Sequence, residues 1–164
     1  MIDVFNNFYK GKRVLVTGHT GFKGSWLSIW LHELGAEIVG VALDPFTERD
    51  NFVLSGIGKK MVADIRADIR DGQKIKEIFA LYQPEIVFHL AAQPLVRLSY
   101  EQPVETYETN VMGTINIMEA IRAIKSVKVG VMVTTDKCYD NNEQLEGYVE
   151  TDPFGAVSYT HLTL

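Results

Sequence analysis

Short apolar runs alternate with longer amphipathic stretches along most of the chain, and the alternation predicts strands and helices in turn. Residues 13–17 predict a first strand. Residues 22–34 predict a helix closed by Gly35, a residue suited to a left-handed C-terminal cap. Residues 37–43 predict a second strand. Residues 45–58 carry Pro45, Gly56 and Gly58 and read as a loop with room for one helical turn. Residues 60–63 predict a short third strand, and 71–82 a helix with Asp71 near its positive end and Pro84 as its stop. Residues 86–90 predict a fourth strand. Residues 103–124 predict a long helix, on which Val104, Tyr107, Val111, Ile115, Met118 and Ile121 fall near one face. Residues 127–134 predict a fifth strand, a continuous apolar run of the kind found where both faces are covered. Five such alternations predict an α/β fold: a doubly wound parallel sheet with right-handed crossovers.

Composition narrows the class of protein. A chain of 164 residues, 46% of them hydrophobic, is long enough for one domain with a real core. The formal net charge is −5 and there is no basic tract, which argues against a nucleic-acid partner. The longest apolar segments are too short to span a bilayer. Met1-Ile2-Asp3-Val4-Phe5 lacks the basic and apolar regions of a signal peptide. A single cysteine, Cys138, cannot form an internal disulfide and suits a reducing compartment. The expectation is a soluble, cytoplasmic protein without a membrane partner.

The chemistry gathers behind the apolar runs. In a doubly wound sheet, ligands lie beyond the carboxyl ends of the strands. After the first run comes Thr17-Gly18-His19-Thr20-Gly21-Phe22-Lys23-Gly24, a strand–glycine turn–helix sequence. Its glycines allow a tight turn and close approach to a pyrophosphate, which the helix N–H groups then hold. After the second run, twenty residues past Gly24, stands Asp44, placed to accept hydrogen bonds from an adenosine ribose. Asp64 follows the third run and reads as a cap or a solvated loop residue. His89-Leu90-Ala91-Ala92-Gln93 lie at and after the fourth, and Thr134-Thr135-Asp136-Lys137-Cys138-Tyr139 at and after the fifth. Trp26, Trp30 and Leu34 read as helix packing, and Cys138 as a small, part-buried side chain.

These residues carry a family resemblance. Gly18-x-x-Gly21-x-x-Gly24, Asp68-Ile69-Arg70-Asp71, His89-x-Ala91-Ala92 and Thr109-Asn110-Val111-x-Gly113-Thr114 resemble the extended short-chain dehydrogenases/reductases, in their nucleotide-sugar dehydratase and epimerase branch. The stretches Gly18–Trp26, Ala91–Tyr100 and Asp136–Asn141 narrow the resemblance to the CDP-glucose 4,6-dehydratases. Most dehydratase relatives have Asp-Glu after the threonine of the fifth strand; this chain has Asp136-Lys137, as the CDP-glucose enzymes do.

The resemblance implies a Rossmann-type NAD-binding domain in a lyase of deoxysugar and surface-polysaccharide biosynthesis. Its substrate is a nucleotide sugar, CDP-glucose, oxidised at C4, dehydrated across C5–C6 and reduced again at C6, with NAD taking up and returning the hydride. Gly18, Gly21 and Gly24, with His19 and Phe22 between them, belong to the pyrophosphate turn, and Asp44 to the ribose. Asp68 and Ile69 border the adenine. Ala91, Ala92 and Gln93 line the cleft near the nicotinamide. Asn110 fixes backbone or water, or is a plain helix residue, and His89 packs beside the cofactor. Thr135 binds the C4 hydroxyl, and Asp136 protonates the hydroxyl leaving C6. Lys137 stands where relatives keep the glutamate base for C5. A lysine does base work only where burial or a nearby cation lowers its pKa, so its role stays open. Asp44 favours NAD over NADP by repelling a 2′-phosphate, and His19, Lys23 and Arg49 are the cations that could offset it.

Resemblance stops after Gly155. Relatives continue into Tyr-x-x-x-Lys, but here Tyr159 is followed four residues on by Thr163. The tail 156–164 resembles the translation of a transposon-type adapter from sequencing-library preparation; a divergent natural C-terminus is the alternative, but loss of resemblance at one point favours the adapter, so residues 1–155 read as an incomplete dinucleotide-binding domain and 156–164 as a non-native tail. The parent is then expected to continue into its last strands and a substrate domain and to form a homodimer or larger homo-oligomer, whereas this chain alone is expected to have little or no dehydratase activity. The alternatives are another nucleotide-sugar dehydratase or epimerase, and a non-catalytic dinucleotide-binding module.

Overall fold

A computed structural model describes residues 5–135, 138–140 and 142–155. Five parallel strands form one sheet in the order β3-β2-β1-β4-β5. They are β1 (Arg13–Thr17), β2 (Glu37–Ala42), β3 (Ala63–Arg66), β4 (Ile86–His89) and β5 (Val129–Met132). Between them run α1 (Phe22–Glu33), α2 (Asn51–Ser55), α3 (Gly72–Tyr82), α4 (Val96–Glu101), α5 (Pro103–Tyr107) and α6 (Thr114–Ala123).

Side chains alternate across the pleat of β1 and so divide the core in two. Val14 and Val16 point to one face, where they meet Leu31 of α1, Ile38 and Ile86. Leu15 points to the other and joins Val39, Val41 and Val87 beneath Ile75, Ile78 and Phe79 of α3 and Ile117 and Ala120 of α6. The helix α1 reaches the sheet through small residues, with Gly24, Ser25 and Ser28 buried. Asp71 caps α3 by accepting a hydrogen bond from the Lys74 N–H at 2.9 Å. Gly35 has φ +82° just beyond α1, the left-handed conformation expected of it.

Several expectations need correction. The third strand lies at 63–66, not 60–63, because Ile57–Lys60 coils into a 3₁₀ turn and pairing with β2 sets the register Val39↔Ala63. Ala63-Asp64-Ile65-Arg66 alternates apolar and charged residues, as suits the edge strand it is, with Asp64 on strand rather than loop. The helix α4 was not foreseen, since six residues between Pro94 and Pro103 show too little periodicity. The long helix is interrupted: residues Glu108–Gly113 form a π-helical turn between α5 and α6. Finally, β5 is short and exposed, with Val129 and Val131 at 44% and 38%, because it is the outer strand among the described residues. Of the three residues read as helix packing, Leu34 is buried, whereas Trp26 and Trp30 stand about half exposed, Trp30 with its ring 5.8 Å from that of Phe5. The stripe formed by Val104, Tyr107, Ile115 and Met118 is exposed too, and Thr106, Gly113, Ile117 and Ala120 are the buried positions of that stretch. No helix of the described residues is long and apolar enough to cross a membrane.

Candidate functional site

The loops that follow β1, β2, β3 and β4 leave the same, carboxyl edge of the sheet. The chain order reverses beside β1, which pairs with β2 on one side and β4 on the other. At such a switch point neighbouring loops diverge and leave a crevice.

The loop after β1 brings main chain against main chain. Gly18 has φ +72°, and a Cβ on it would lie 2.8 Å from the Ala91 nitrogen and 2.9 Å from its Cα. Positive φ and close approach both require glycine there. The Gly21 N–H donates to the Gly18 carbonyl at 3.0 Å, and a Cβ on Gly24 would overlap that same carbonyl oxygen. The chain thus enters α1 in a tight turn, with Gly21 as N-cap and no side chain capping the helix. The first N–H groups of a helix have no partner inside it and carry the positive end of its dipole. The arrangement fits the pyrophosphate of a dinucleotide, which brings oxygen acceptors and negative charge and needs no intervening side chain. Phe22, at the first helical position, is exposed.

The loop after β4 is held from beneath. Thr17 Oγ1 lies 2.7 Å from His89 Nδ1 and accepts the N–H groups of Leu90 and Ala91 at 3.1 and 3.2 Å. His89 Nε2 lies 3.0 Å from Thr114 Oγ1, which itself donates to the Asn110 carbonyl at 2.7 Å. The Thr114 hydroxyl therefore accepts from Nε2–H, and Thr17 donates to an unprotonated Nδ1. Both ring nitrogens of His89 are engaged, and burial depresses its pKa from 6.5 to about 4. It is a neutral spacer between β1 and α6, placed as a packed residue beside the crevice.

A buried neutral His89 makes the fold's stability depend on pH. The unfolded imidazole takes a proton near pH 6.5, but the folded one only near pH 4, so acid favours the unfolded chain. Stability owed to neutral His89 is whole above pH 6.5 and is lost as pH falls through about 4. Complete loss amounts to about 3 kcal/mol. Urea midpoints between pH 7 and 5 should fall less steeply in His89→Gln than in the wild type; equal slopes would contradict the assignment.

Asn110 sits within the π-helical turn, where the wider coil turns its amide toward the β4 loop. Its Oδ1 accepts the Gln93 N–H at 2.8 Å and its Nδ2 donates to the Gln93 carbonyl at 3.0 Å. Asn110 thus fixes backbone, the first of the two roles open to it. The Gln93 side chain closes the same loop, accepting the Leu95 N–H at 2.6 Å and donating to Thr106 Oγ1 at 3.1 Å. Ala91 is half-buried and Ala92 exposed beside it.

On the other flank Asp44 is 85% exposed at its side chain and accepts Arg66 Nε–H at 2.9 Å. His19 is fully buried; its Nε2 lies 2.7 Å from Asp64 Oδ1, and its ring meets Phe52 edge-on at 5.3 Å. Its side chain is thus engaged within the fold, and only its backbone lines the turn. Burial lowers the His19 pKa against the upward pull of Asp64. At Asp64 burial opposes ionisation, but the hydrogen bonds from Arg66 and His19 outweigh it and keep the carboxyl below its usual range. The Arg70 side chain, which donates to Asp68 at 2.6 and 2.9 Å, holds that carboxyl below its usual range. Ile69 is buried in the core, leaving only its backbone near the crevice.

Thr135 is half-buried, three residues past β5 and on the same edge as Ala91; the Cys138 thiol donates to its carbonyl at 3.0 Å. Cys138 is part-buried, as anticipated. Asp136, Lys137 and the tail 156–164 with Tyr159 lie outside the described residues. Among the described residues there is no metal-ligating cluster of His, Cys, Asp and Glu. Sequence reading missed Arg66, for which the Asp64-x-Arg66 alternation offered a signal, and gave no role to Thr17 and Thr114, although both stand inside the motifs of the glycine turn and of Asn110.

Comparison with known proteins agrees with this geometry. The family model described as GDP-mannose 4,6 dehydratase matches residues 15–159. CDP-glucose 4,6-dehydratase of Salmonella typhimurium is 55% identical over 155 residues, which is 94% of this chain and 42% of that protein. Among solved structures, UDP-glucose 4-epimerase of Thermus thermophilus in complex with NAD superposes with TM-score 0.77 at 32% identity, covering 92% of this chain and 47% of the other. UDP-glucose 4-epimerase of Stenotrophomonas maltophila, with bound NAD and formylated UDP-arabinopyranose, gives 0.78 at 26% identity over 92% and 45%. The chain therefore spans less than half the length of these relatives.

Proposed function

The chain belongs to the GDP-mannose 4,6 dehydratase family, and from that premise we propose that it forms the dinucleotide-binding part of a lyase that converts CDP-glucose to CDP-4-keto-6-deoxyglucose. The observation that carries the substrate is the 55% identity to a CDP-glucose 4,6-dehydratase over nearly the whole chain. NAD, when bound, supplies the hydride acceptor and donor.

The protein's own residues bind and orient. The α1 N-terminus and the Gly18–Gly24 turn hold the pyrophosphate, Asp44 the adenosine ribose, and the backbone at 68–69 borders the adenine. Thr17, His89, Thr114 and Asn110 set the Ala91–Gln93 backbone, which lines the nicotinamide side of the cleft. Thr135 hydrogen-bonds the sugar hydroxyl at C4. Asp136 gives its proton to the hydroxyl leaving C6. Lys137 occupies the place of the C5 base and serves as one where its surroundings lower its pKa. The exposed apolar face of Val104, Tyr107, Met112, Ile115 and Met118 is where a second copy docks.

Incubating the intact protein and NAD with CDP-glucose, dTDP-glucose, UDP-glucose and GDP-mannose, and following products by NMR, tests the reading. The expected result is a 4-keto-6-deoxy product with clear preference for CDP-glucose. Preference for another base, or epimerisation without loss of water, would overturn it.

A further inference from the structure

One side chain of α6 holds the loop between β3 and α3 from behind. Asn116 Nδ2, an amide nitrogen with two hydrogens, donates to the Ile69 and Arg70 carbonyls, both at 3.0 Å. These partners lie 47 and 46 residues back along the chain. The fit around the amide is close. A Cβ on Gly72 would lie 2.7 Å from Asn116 Oδ1, and a Cβ on Gly113 would lie 2.5 Å from Ile69 Cδ1. Arg70 turns its side chain back to Asp68 at 2.6 and 2.9 Å and reaches Glu105 at 3.4 Å and Glu108 at 3.8 Å. The loop is thus tied down at several points, although it belongs to no strand or helix.

The same loop carries a donor next to an acceptor. The Ile69 N–H has no partner among the described hydrogen bonds. Asp68 Oδ1 accepts the Arg70 N–H at 2.8 Å and keeps a second lone pair. Ile69 is pinned at its carbonyl by Asn116 and at its side chain by Gly113, so the direction of its N–H is set from α6. A base edge of adenine has the complementary pair, an amino donor beside a ring-nitrogen acceptor. We infer that Asn116 is a positioning residue of the adenine subsite: its two donated hydrogen bonds hold the 68–70 backbone so that the Ile69 N–H and the Asp68 carboxylate meet the base edge together. This rests on the dinucleotide reading above.

The test is calorimetric titration of the intact protein with NAD and with nicotinamide hypoxanthine dinucleotide, in wild type, Asn116→Ala and Asn116→Asp. Hypoxanthine has a carbonyl oxygen in place of the adenine amino group, and the two dinucleotides carry the same charge. Wild type should bind NAD the more tightly, because the carboxylate then meets a donor. Both variants should weaken NAD by about tenfold, the effect of one well-placed hydrogen bond, and the hypoxanthine dinucleotide by less, so that the two dissociation constants converge. Aspartate keeps the size of asparagine and loses its donors, so filling the space is not enough. A merely structural role would weaken both dinucleotides equally. An unchanged ratio in the variants, or equal affinity of wild type for the two dinucleotides, overturns the inference while leaving the dinucleotide site standing. If neither variant folds, Asn116→Ser, which keeps one donor on a shorter side chain, carries the same comparison. A wild type that binds neither dinucleotide removes the underlying reading and this inference with it.

Discussion

Replacing Gly24 with alanine is expected to weaken dinucleotide binding by about a hundredfold or more, because the cradle is made of main chain that cannot step aside. The added Cβ would overlap the Gly18 carbonyl and approach His19 Cα at 2.8 Å. Neither neighbour is the end of a flexible side chain. The turn must open, and Gly18 in turn is pressed on the Ala91 backbone across the crevice. Overpacking of this kind costs about 1–3 kcal/mol of stability, so a folded variant is expected. NAD titration of the intact Gly24→Ala protein, with circular dichroism to establish folding, decides the matter. Binding as tight as wild type would mean that the anion does not sit on this turn.

Changing Asp136 to asparagine in the intact protein is expected to cut dehydration of CDP-glucose by about 10²–10⁴-fold, the range for losing a positioned proton donor. An amide keeps the shape of the carboxyl group but has no proton to give the leaving hydroxyl at C6. Dinucleotide affinity should stay as it was, because the pyrophosphate turn and the ribose side lie on other loops. A harmless substitution would favour the non-catalytic binding module instead. Reduced affinity for NAD with unchanged turnover would move Asp136 from chemistry to cofactor binding.

Much of the fold was legible because its signals are local. The run Val14–Val16, the glycine turn and the start of α1 follow one another in the chain, and each is set by its own residues: apolar side chains for a covered strand, glycine where φ is positive, no side chain where carbonyls crowd. The same holds for Asp71 at the start of α3 and Gly35 beyond α1. The resemblance of these motifs to a known family, and with it the expected cofactor and substrate, was likewise available without coordinates.

Other features depend on partners distant in sequence. The position of β3 followed from pairing with β2, not from the apolarity of residues 60–63, since strand register is a property of two chains of hydrogen bonds. The exposure of β5 follows from its place at the outside of the described sheet, which an apolar run cannot reveal. For Asn110 the sequence leaves open whether it fixes backbone or water or is a plain helix residue, and only the π-helical turn that brings its amide to Gln93, seventeen positions back, selects the partner. His89 becomes a neutral spacer only between Thr17 and Thr114, because burial sets its charge and the two hydroxyls set its tautomer. Arg66 reaches Asp44, twenty-two residues away, only because β2 and β3 lie side by side. The sequence by itself determined the parallel α/β plan, the anion-binding turn and the family; tertiary structure alone decided register, protonation and which charges meet, because those are set by neighbours that folding, and not chain order, supplies.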